Sequence, residues 1–358
     1  MISVTKPYLP DIKKYNKYVK RIYDAKWLTN NGPLVQELRV RLEEYLEIKN
    51  LLLVSNGTIA LNIAYHLLNI KKSVITTPFS FVATTSSLVW DGISPVFCDI
   101  DKNTLNMDAE KVHAYMNESI EAILPVHIFG NTCDVEKLQS VADRYNKKII
   151  YDASHSFGVK YKDTSVLSFG DISTISFHAT KLFHTVEGGG IVINDDELFE
   201  RANSLLNFGY NKNYEIIAPG INGKMSEFHA AMGLAILDDI DTVIIRRKEI
   251  CDYYYRELNG IVELQQYNKD STRNYSYMPI ILPSETILIK VLQCLNENEI
   301  FPKRYFYPSL NTLSYIKTVQ NCEFSEDIST RVLCLPLYDS LDMKDVNKIV
   351  LSIKDCLL

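Results

Sequence analysis

An apolar, β-branched run that ends near a lysine and is followed by three glycines constrains this chain most. Residues 172–177 read Ile-Ser-Thr-Ile-Ser-Phe, which predicts a buried strand. Lys181 follows closely, and Gly188-Gly189-Gly190 then leads into a second apolar strand at 191–193. An amine placed where a strand leaves the core is partly desolvated, which lowers its pKa and favours the neutral form that reacts with carbonyl groups. On this pattern alone, however, Lys181 is more often an exposed lysine on a hairpin loop.

The composition is that of a globular protein and favours neither nucleic-acid binding nor membrane insertion. The chain has 358 residues, enough for a large domain and a smaller one, and 46% of them are hydrophobic. A formal net charge of −6 without blocks of like charge gives nucleic-acid binding no electrostatic support. Apolar runs stay below membrane-spanning length, and the first residues do not resemble a signal peptide. We therefore expect a cytoplasmic protein that binds neither nucleic acid nor a membrane.

The cysteine pattern predicts neither a metal centre nor a redox motif. No Cys-x-x-Cys pair occurs, and an odd number of scattered cysteines fits a reducing compartment. We expect no bound metal. The seven cysteines are Cys98, Cys133, Cys251, Cys294, Cys322, Cys334 and Cys356.

Alternation of strand and helix patterns predicts an α/β fold with two domains. A large domain is expected over residues 1–245, beginning with an N-terminal arm of about 30 residues. A small C-terminal α+β domain is expected over residues 246–358. In the large domain the patterns predict strands at 51–54, 74–78, 95–100, 122–127 and 148–152, and helices at 33–47, 59–68, 135–145, 196–206 and 224–237.

Three positions at predicted strand ends carry groups that could bind a ligand. Ser55-Asn56-Gly57-Thr58 joins a strand to a helix, a geometry that binds anions, although on this motif alone a plain helix cap is the more common explanation. Phe81 could stack on a flat ring, but an isolated aromatic residue is more often part of the core. Asp152 ends a strand, and a buried carboxylate there requires a partner such as a protonated ring nitrogen, a helix start or a salt bridge.

These pieces, in this order and spacing, resemble the DegT/DnrJ/EryC1/StrS family, the sugar aminotransferase branch of the pyridoxal-phosphate (PLP) fold type I enzymes. The resemblance covers nearly the whole chain and implies a large domain with a mostly parallel seven-stranded sheet and a small α+β domain. The segments that carry it are 27–33, 55–58, Phe81, 152–155, 176–181, 187–190, 220–227 and 335–338.

The resemblance implies a role for each residue of the site. Lys181 is expected to hold pyridoxal 5'-phosphate covalently and to act as the catalytic base, with the cofactor cycling through pyridoxamine 5'-phosphate. Asp152 is expected under the pyridine nitrogen. The family often has arginine where this chain has Lys224, which makes that position a departure. The other implied cofactor contacts are Phe81 on the ring, Gly57, Thr58 and Ser176 around the phosphate, His155 near the ring hydroxyl, and Asn222 and Lys224, which reach the neighbouring subunit's cofactor in a homodimer with shared active sites.

The resemblance also implies a reaction. Ser176-Phe-His-Ala-Thr-Lys181 is similar to the members that transfer an amino group from L-glutamate to C4 of a nucleotide-linked 4-keto-6-deoxy sugar, in particular dTDP-4-keto-6-deoxy-D-glucose, in O-antigen and lipopolysaccharide biosynthesis. A GDP- or UDP-linked 4-keto sugar remains an alternative acceptor. A regulatory protein that binds PLP without turnover is another alternative. The sugar pocket is expected to use Trp27, Leu28, Thr29, Asn31, His184, Tyr305 and Tyr307, although each could serve packing instead.

Overall fold

The computed structural model describes residues 1–317 and 320–357. The predicted helices lie within a few residues of their expected bounds. The helices of the described residues are α1 Ile12–Ala25, α2 Pro33–Leu46, α3 Gly57–Leu67, α4 Val82–Trp90, α5 Val135–Tyr145, α6 Asp196–Leu206, α7 Glu227–Leu237, α8 Ile240–Leu258, α9 Glu285–Glu297, α10 Glu323–Arg331 and α11 Met343–Leu357.

The strands are short, and those of four or five residues lie between residues 51 and 193. They are β1 Ile2–Ser3, β2 Leu51–Val54, β3 Ser73–Thr76, β4 Ser94–Phe97, β5 Ile120–Leu124, β6 Lys148–Asp152, β7 Lys160–Tyr161, β8 Thr164–Ser165, β9 Ile172–Ser176, β10 Gly189–Ile193, β11 Glu263–Leu264, β12 Pro279–Ile281, β13 Ile300–Phe301 and β14 Val332–Cys334.

A seven-stranded sheet in the order β2-β10-β9-β6-β5-β3-β4 forms the centre of the molecule. Only β10 runs antiparallel to its neighbours within this sheet, which confirms the predicted mostly parallel sheet. The strands are almost entirely buried on both faces because helices cover the sheet on both sides. The carboxyl ends of β6 and β9 therefore open at one edge, where a ligand can be bound.

Helix α8 connects two separate apolar cores. Its early residue Val243 packs with the core that contains Leu38 and Phe177, whereas Ile250 and Tyr254 pack with the core of the C-terminal region. The second core lies between α8, α9, α11 and the antiparallel sheet β11-β12-β14. The predicted division at residue 245 falls inside this helix and stays a prediction.

Residues 1–30, for which we expect an N-terminal arm, contain one strand and one helix. Strand β1 pairs with β13 of the C-terminal region, and α1 accounts for 14 of the residues that follow β1. Asp11 caps α1 by accepting from the Lys13 amide at 2.7 Å, and Ile22 is buried against the first core. The many lysines of α1 hid an apolar stripe at helical spacing, which Tyr15, Tyr18 and Ile22 form.

The buried carboxylate of Glu227 joins the starts of two helices. Glu227 is the first residue of α7, and its two oxygens accept from the Leu34 and Val35 amides of α2, each at 2.9 Å. A Cβ atom on Gly32 would lie 2.8 Å from the Glu227 Cδ, so the Asn-Gly-Pro turn needs glycine to admit the carboxylate. Amides at a helix start have no partner within the helix, and a negative group there is favourable.

Residues 265–277, which we call the crossing segment, leave the C-terminal sheet after β11 and return to it at β12. Between these strands the backbone lies against the large domain, where the Gln266 amide donates to the Asn103 carbonyl and the Thr272 amide donates to the Lys160 carbonyl. Tyr277, at its end, therefore reaches the carboxyl edge of the seven-stranded sheet.

Two further findings concern cysteines and apolar helices. Cys294 of α9 and Cys356 of α11 form a disulfide, which the scattered cysteine spacing did not predict. Within residues 1–317 and 320–357, no helix combines the length and the apolar character needed to cross a lipid bilayer.

We predict that Glu227→Ala lowers the free energy of unfolding by about 2–4 kcal/mol, because two buried amides lose a charged acceptor. Glu44→Ala, on the exposed face of α2, is the matched control and should change it by less than about 0.5 kcal/mol. Urea unfolding followed by circular dichroism measures both. Equal losses for the two variants would contradict the assigned role of Glu227.

Candidate active site

Asp152, at the carboxyl end of β6, is a buried carboxylate held by donors on two elements. The Thr84 hydroxyl donates to its Oδ2 at 2.8 Å, and the Ser154 amide donates to its Oδ1 at 3.1 Å. Because Thr84 donates to the carboxylate, its oxygen is free to accept from the Ser80 hydroxyl at 2.8 Å. Two hydrogen bonds fix the carboxylate and leave it lone pairs for a further cationic donor.

Lys181 lies in the loop between β9 and β10, close enough to Asp152 for their charges to interact. Burial lowers the pKa of its amine from 10.5 to about 8, and the negative charge of Asp152 opposes this shift. The Nζ atom makes a long contact of 3.4 Å with the Tyr277 hydroxyl. A lysine in this setting is partly neutral near physiological pH, as nucleophilic and base catalysis require.

His155 presents a neutral imidazole to the same edge. Its Nδ1 accepts from the Phe129 amide at 3.3 Å, which places the proton on Nε2. Its ring lies nearly parallel to Phe129 and Phe306, with centroids 6.3 and 5.7 Å away. Burial, and then the positive charge of Lys181, hold the pKa of His155 well below its usual value. The imidazole therefore stays neutral and offers its Nε2–H group as a hydrogen-bond donor.

The start of α3 forms an anion-binding turn beside β9. Asn56 caps the helix by accepting from the Ile59 amide at 2.9 Å, which leaves the amides of Gly57 and Thr58 at the positive end of the helix. A Cβ atom on Gly57 would lie 3.1 Å from the Ser176 Cβ, so the Ser176 hydroxyl is next to these amides. A Cβ atom on Gly189 would lie 2.7 Å from the Asn56 carbonyl carbon. Glycine at 189 therefore lets β10 approach the turn.

Phe81 precedes α4 at the end of the turn after β3. Its side chain is 56% exposed, which is unusual for a phenylalanine next to a buried strand. It lies three residues before Thr84, which holds Asp152. An exposed aromatic ring at this position is suited to stack on a planar ligand.

The structure does not support His184 as a sugar contact. Its side chain is 1% exposed, its Nε2 donates to the Tyr8 carbonyl at 2.8 Å, and its Nδ1 accepts from the Val186 amide at 3.3 Å. Both nitrogens are thus used to fix the loop after Lys181 to the N-terminal segment.

The other expected sugar contacts lie in two places. Tyr305 is brought to the site, since its ring meets that of Tyr277 at 5.7 Å between centroids. Tyr307 is half exposed and stacks against the Arg304 guanidinium, 3.8 Å from its ring centroid. The remaining ones, Trp27, Leu28, Thr29 and Asn31, are exposed on the loop between α1 and α2.

Asn222 and Lys224 lie beside the anion-binding turn but on the outer edge of the sheet. The Ser55 amide donates to the Gly223 carbonyl at 2.7 Å, and Lys224 forms a bridge with Val54. The Lys224 amine donates to Asn207 Oδ1 at 2.9 Å. Within one chain these two residues therefore flank the turn from outside, and their expected role toward a second subunit stays a prediction.

Two site residues were missed by sequence reasoning. Thr84 carries a local signal, because it lies in the first turn of a helix that follows a strand end. Tyr277 carries none, since it meets Lys181 across 96 residues of sequence.

The residues present fit pyridoxal 5'-phosphate. An amine of lowered pKa, a fixed carboxylate, a buried neutral donor on His155, an exposed aromatic ring and free helix amides match the aldehyde, ring nitrogen, hydroxyl, ring face and phosphate of that molecule. Among residues 1–317 and 320–357 no cluster of three or more His, Cys, Asp or Glu side chains is placed to hold a metal ion.

Comparison with known proteins identifies relatives over nearly the whole chain. The family model of the DegT/DnrJ/EryC1/StrS aminotransferase family matches residues 11–354. A dTDP-4-amino-4,6-dideoxy-D-glucose transaminase of Shigella dysenteriae is 41% identical over 361 aligned positions, which cover 99% of this chain and 98% of the relative. A GDP-perosamine synthase of Escherichia coli O157:H7 is 31% identical, with 97% of each chain covered.

A solved structure shows the same architecture. The crystal structure of DesI in the presence of its TDP-sugar product superimposes with a TM-score of 0.95 at 29% identity, covering 99% of this chain and 93% of that one. The agreement extends over both the large sheet and the C-terminal region.

We predict that the Lys181 amine of the cofactor-free protein titrates with a midpoint near pH 8, because burial disfavours the ammonium. Trace acetylation at a series of pH values, read by mass spectrometry of the Lys181 peptide against an N-acetyl-lysine amide standard, measures it. Asp152→Asn removes the opposing negative charge and should move the midpoint lower. A wild-type midpoint near that of the standard, about 10.4, would contradict the assignment.

Proposed function

We propose, for a chain that belongs to the DegT/DnrJ/EryC1/StrS aminotransferase family, the transfer of an amino group from L-glutamate to C4 of dTDP-4-keto-6-deoxy-D-glucose. The product is dTDP-4-amino-4,6-dideoxy-D-glucose. The observation that carries this proposal is 41% identity, over almost the full length of both chains, to a relative named for that transamination. The pathway we propose for the product is bacterial O-antigen and lipopolysaccharide synthesis.

We propose pyridoxal 5'-phosphate as the cofactor, held covalently by Lys181. When bound, it supplies an electron sink and carries the amino group as pyridoxamine 5'-phosphate between donor and acceptor. Gly57, Thr58 and Ser176 would hold its phosphate, and Asp152 would hold its protonated ring nitrogen. His155 would donate through Nε2 to the ring hydroxyl, and Phe81 would cover the ring face.

Lys181 supplies the proton transfers of the reaction. Its amine, with a pKa lowered to about 8, is partly neutral near pH 7–8 and can take the proton from the α-carbon of glutamate. The resulting ammonium lies near the Asp152 charge, which favours the charged form. That ammonium would in turn deliver a proton to the sugar carbon that receives the amino group, which returns Lys181 to its neutral form.

A second copy of the chain is proposed to complete each site. The loop between α6 and α7 carries several exposed apolar side chains. Asn222 and Lys224 lie at the C-terminal end of the same loop. Large exposed apolar patches mark interaction sites. We propose that this loop lies in a homodimer interface and that both residues approach the partner subunit's cofactor. The exposed apolar side chains are Phe208, Tyr214, Ile216, Ile217 and Ile221.

We predict that Lys181→Ala abolishes the visible absorbance of the purified protein, because no amine remains to bind the cofactor aldehyde. Lys17→Ala, on the exposed face of α1, is the matched control and should keep this absorbance.

Asp152→Asn should keep the visible absorbance band but slow the conversion of the cofactor by glutamate about 100-fold or more, since a neutral amide cannot hold the ring nitrogen protonated. A wild-type band that glutamate does not change would instead favour a regulatory protein without turnover.

We predict that a panel of 4-keto sugars separates the acceptors. With glutamate as donor, mass spectrometry should show amination of dTDP-4-keto-6-deoxy-D-glucose at a kcat/KM at least about tenfold above that of the GDP- and UDP-linked 4-keto sugars. Preferential amination of GDP-4-keto-6-deoxymannose would assign the chain to perosamine synthesis instead. The 31% identical GDP-perosamine synthase makes that the alternative to test first.

A further inference from the structure

The crossing segment is fixed by hydrogen bonds at residues 274–276, directly before Tyr277, which contacts Lys181. The Asn274 side chain is 4% exposed, and its Nδ2 donates to the carbonyls of His155 and Phe157, at 2.8 and 3.0 Å. Its Oδ1 accepts from the Ser276 amide at 3.2 Å. One asparagine therefore joins the crossing segment to the loop that carries His155.

A glycine makes room for this asparagine. Gly130 has a φ of +81°, and a Cβ atom there would lie 2.7 Å from the Asn274 Oδ1 and 3.0 Å from the His155 carbonyl oxygen. Any side chain at this position would be strained and would also collide with both groups. Glycine at position 130 thus lets its own loop, the crossing segment at Asn274 and the loop at His155 approach each other closely.

A buried arginine fixes the segment from the other side. The Arg247 side chain of α8 donates through Nε to the Tyr275 carbonyl at 2.9 Å and through a terminal nitrogen to the Ser276 carbonyl at 2.7 Å. Burial lowers the pKa of Arg247, as expected for a cation bonded to neutral carbonyls. The backbone immediately before Tyr277 is therefore held by the large domain and by α8 together.

The Tyr277 ring is enclosed by aromatic neighbours. Its centroid lies 4.9 Å from that of His155, 5.3 Å from that of Phe129 and 5.7 Å from that of Tyr305. These contacts leave the hydroxyl at the Lys181 amine, 3.4 Å from Nζ. Packing rather than a flexible loop sets this distance.

We propose that Tyr277 positions the amine of Lys181: its hydroxyl oxygen accepts a hydrogen bond from Nζ and orients the amine for proton transfer. This proposal rests on the proposed function, in which Lys181 is the base. With one N–H directed at Tyr277, the lone pair of the neutral amine stays available to the carbon that loses or gains the proton.

The same hydroxyl stabilises the ammonium more than the amine. Burial raises the pKa of Tyr277, so its hydroxyl stays protonated while its oxygen accepts. A hydrogen bond from an ammonium is stronger than one from a neutral amine. Loss of the hydroxyl should therefore lower the pKa of Lys181 further. The charged or titratable groups that face Lys181 and Tyr277 are Asp152, His155, Arg247, Tyr305 and Cys334.

The experiment compares Tyr277→Phe with Tyr115→Phe. The first variant keeps the enclosed ring and removes only the hydroxyl, and the second makes the same change in a half-buried tyrosine of a separate apolar cluster. Trace acetylation of the cofactor-free proteins should give a Lys181 midpoint about 0.5–1 pH unit lower in Tyr277→Phe and an unchanged midpoint in Tyr115→Phe. A purely structural Tyr277 would leave the midpoint where it is.

A second readout uses the cofactor-loaded enzyme. Tyr277→Phe should keep the visible band, and its single-turnover conversion by glutamate should be roughly 10–100-fold slower. An unchanged or raised midpoint, or an unchanged single-turnover rate, overturns the proposal. A band that persists in Lys181→Ala overturns the proposed function instead, and the midpoint shift in cofactor-free Tyr277→Phe then still reports the hydrogen bond by itself.

Discussion

The placement of the Lys181 amine in a mostly dry site opposite the Asp152 carboxylate is the interaction on which the site depends. Burial alone would drive the lysine to its neutral form, and a nearby anion alone would keep it charged. Together they leave the pKa of Lys181 at about 8, where both forms are available. The two hydrogen bonds that Asp152 accepts from Thr84 and Ser154 keep this balance independent of side-chain motion, because the carboxylate cannot rotate away.

The order of strands explains how distant residues meet at this amine. Asp152 ends β6, and Lys181 follows β9, its immediate neighbour in the sheet. The anion-binding turn follows β2, which reaches the same edge only because β10 is inserted between β2 and β9 as the antiparallel strand. The glycines at 189 and 190 keep this insertion tight. The crossing segment then brings Tyr277 from the C-terminal region to the open side.

Groups that lie directly after a strand could be predicted from the sequence, and groups that depend on long-range packing could not. Asp152 and Lys181 belong to the first class, since a strand pattern of period two or a continuous apolar run shows where each strand ends. Tyr277 and Glu227 belong to the second, because their partners are 96 and 193 residues away. His184 is expected in the sugar pocket from the family resemblance, yet both of its ring nitrogens bond to the backbone.

The capping of α2 by Glu227 has a consequence for synthesis on the ribosome. The amides at the start of α2 receive their acceptor from a residue 193 positions later, and among the described residues β2 has β10 as its one neighbour in the sheet. At about 5–20 residues per second, roughly 10–40 s separate the emergence of α2 from that of its cap. The nascent N-terminal quarter must therefore wait in an incompletely folded form, exposed to chaperones, until α7 has left the exit tunnel.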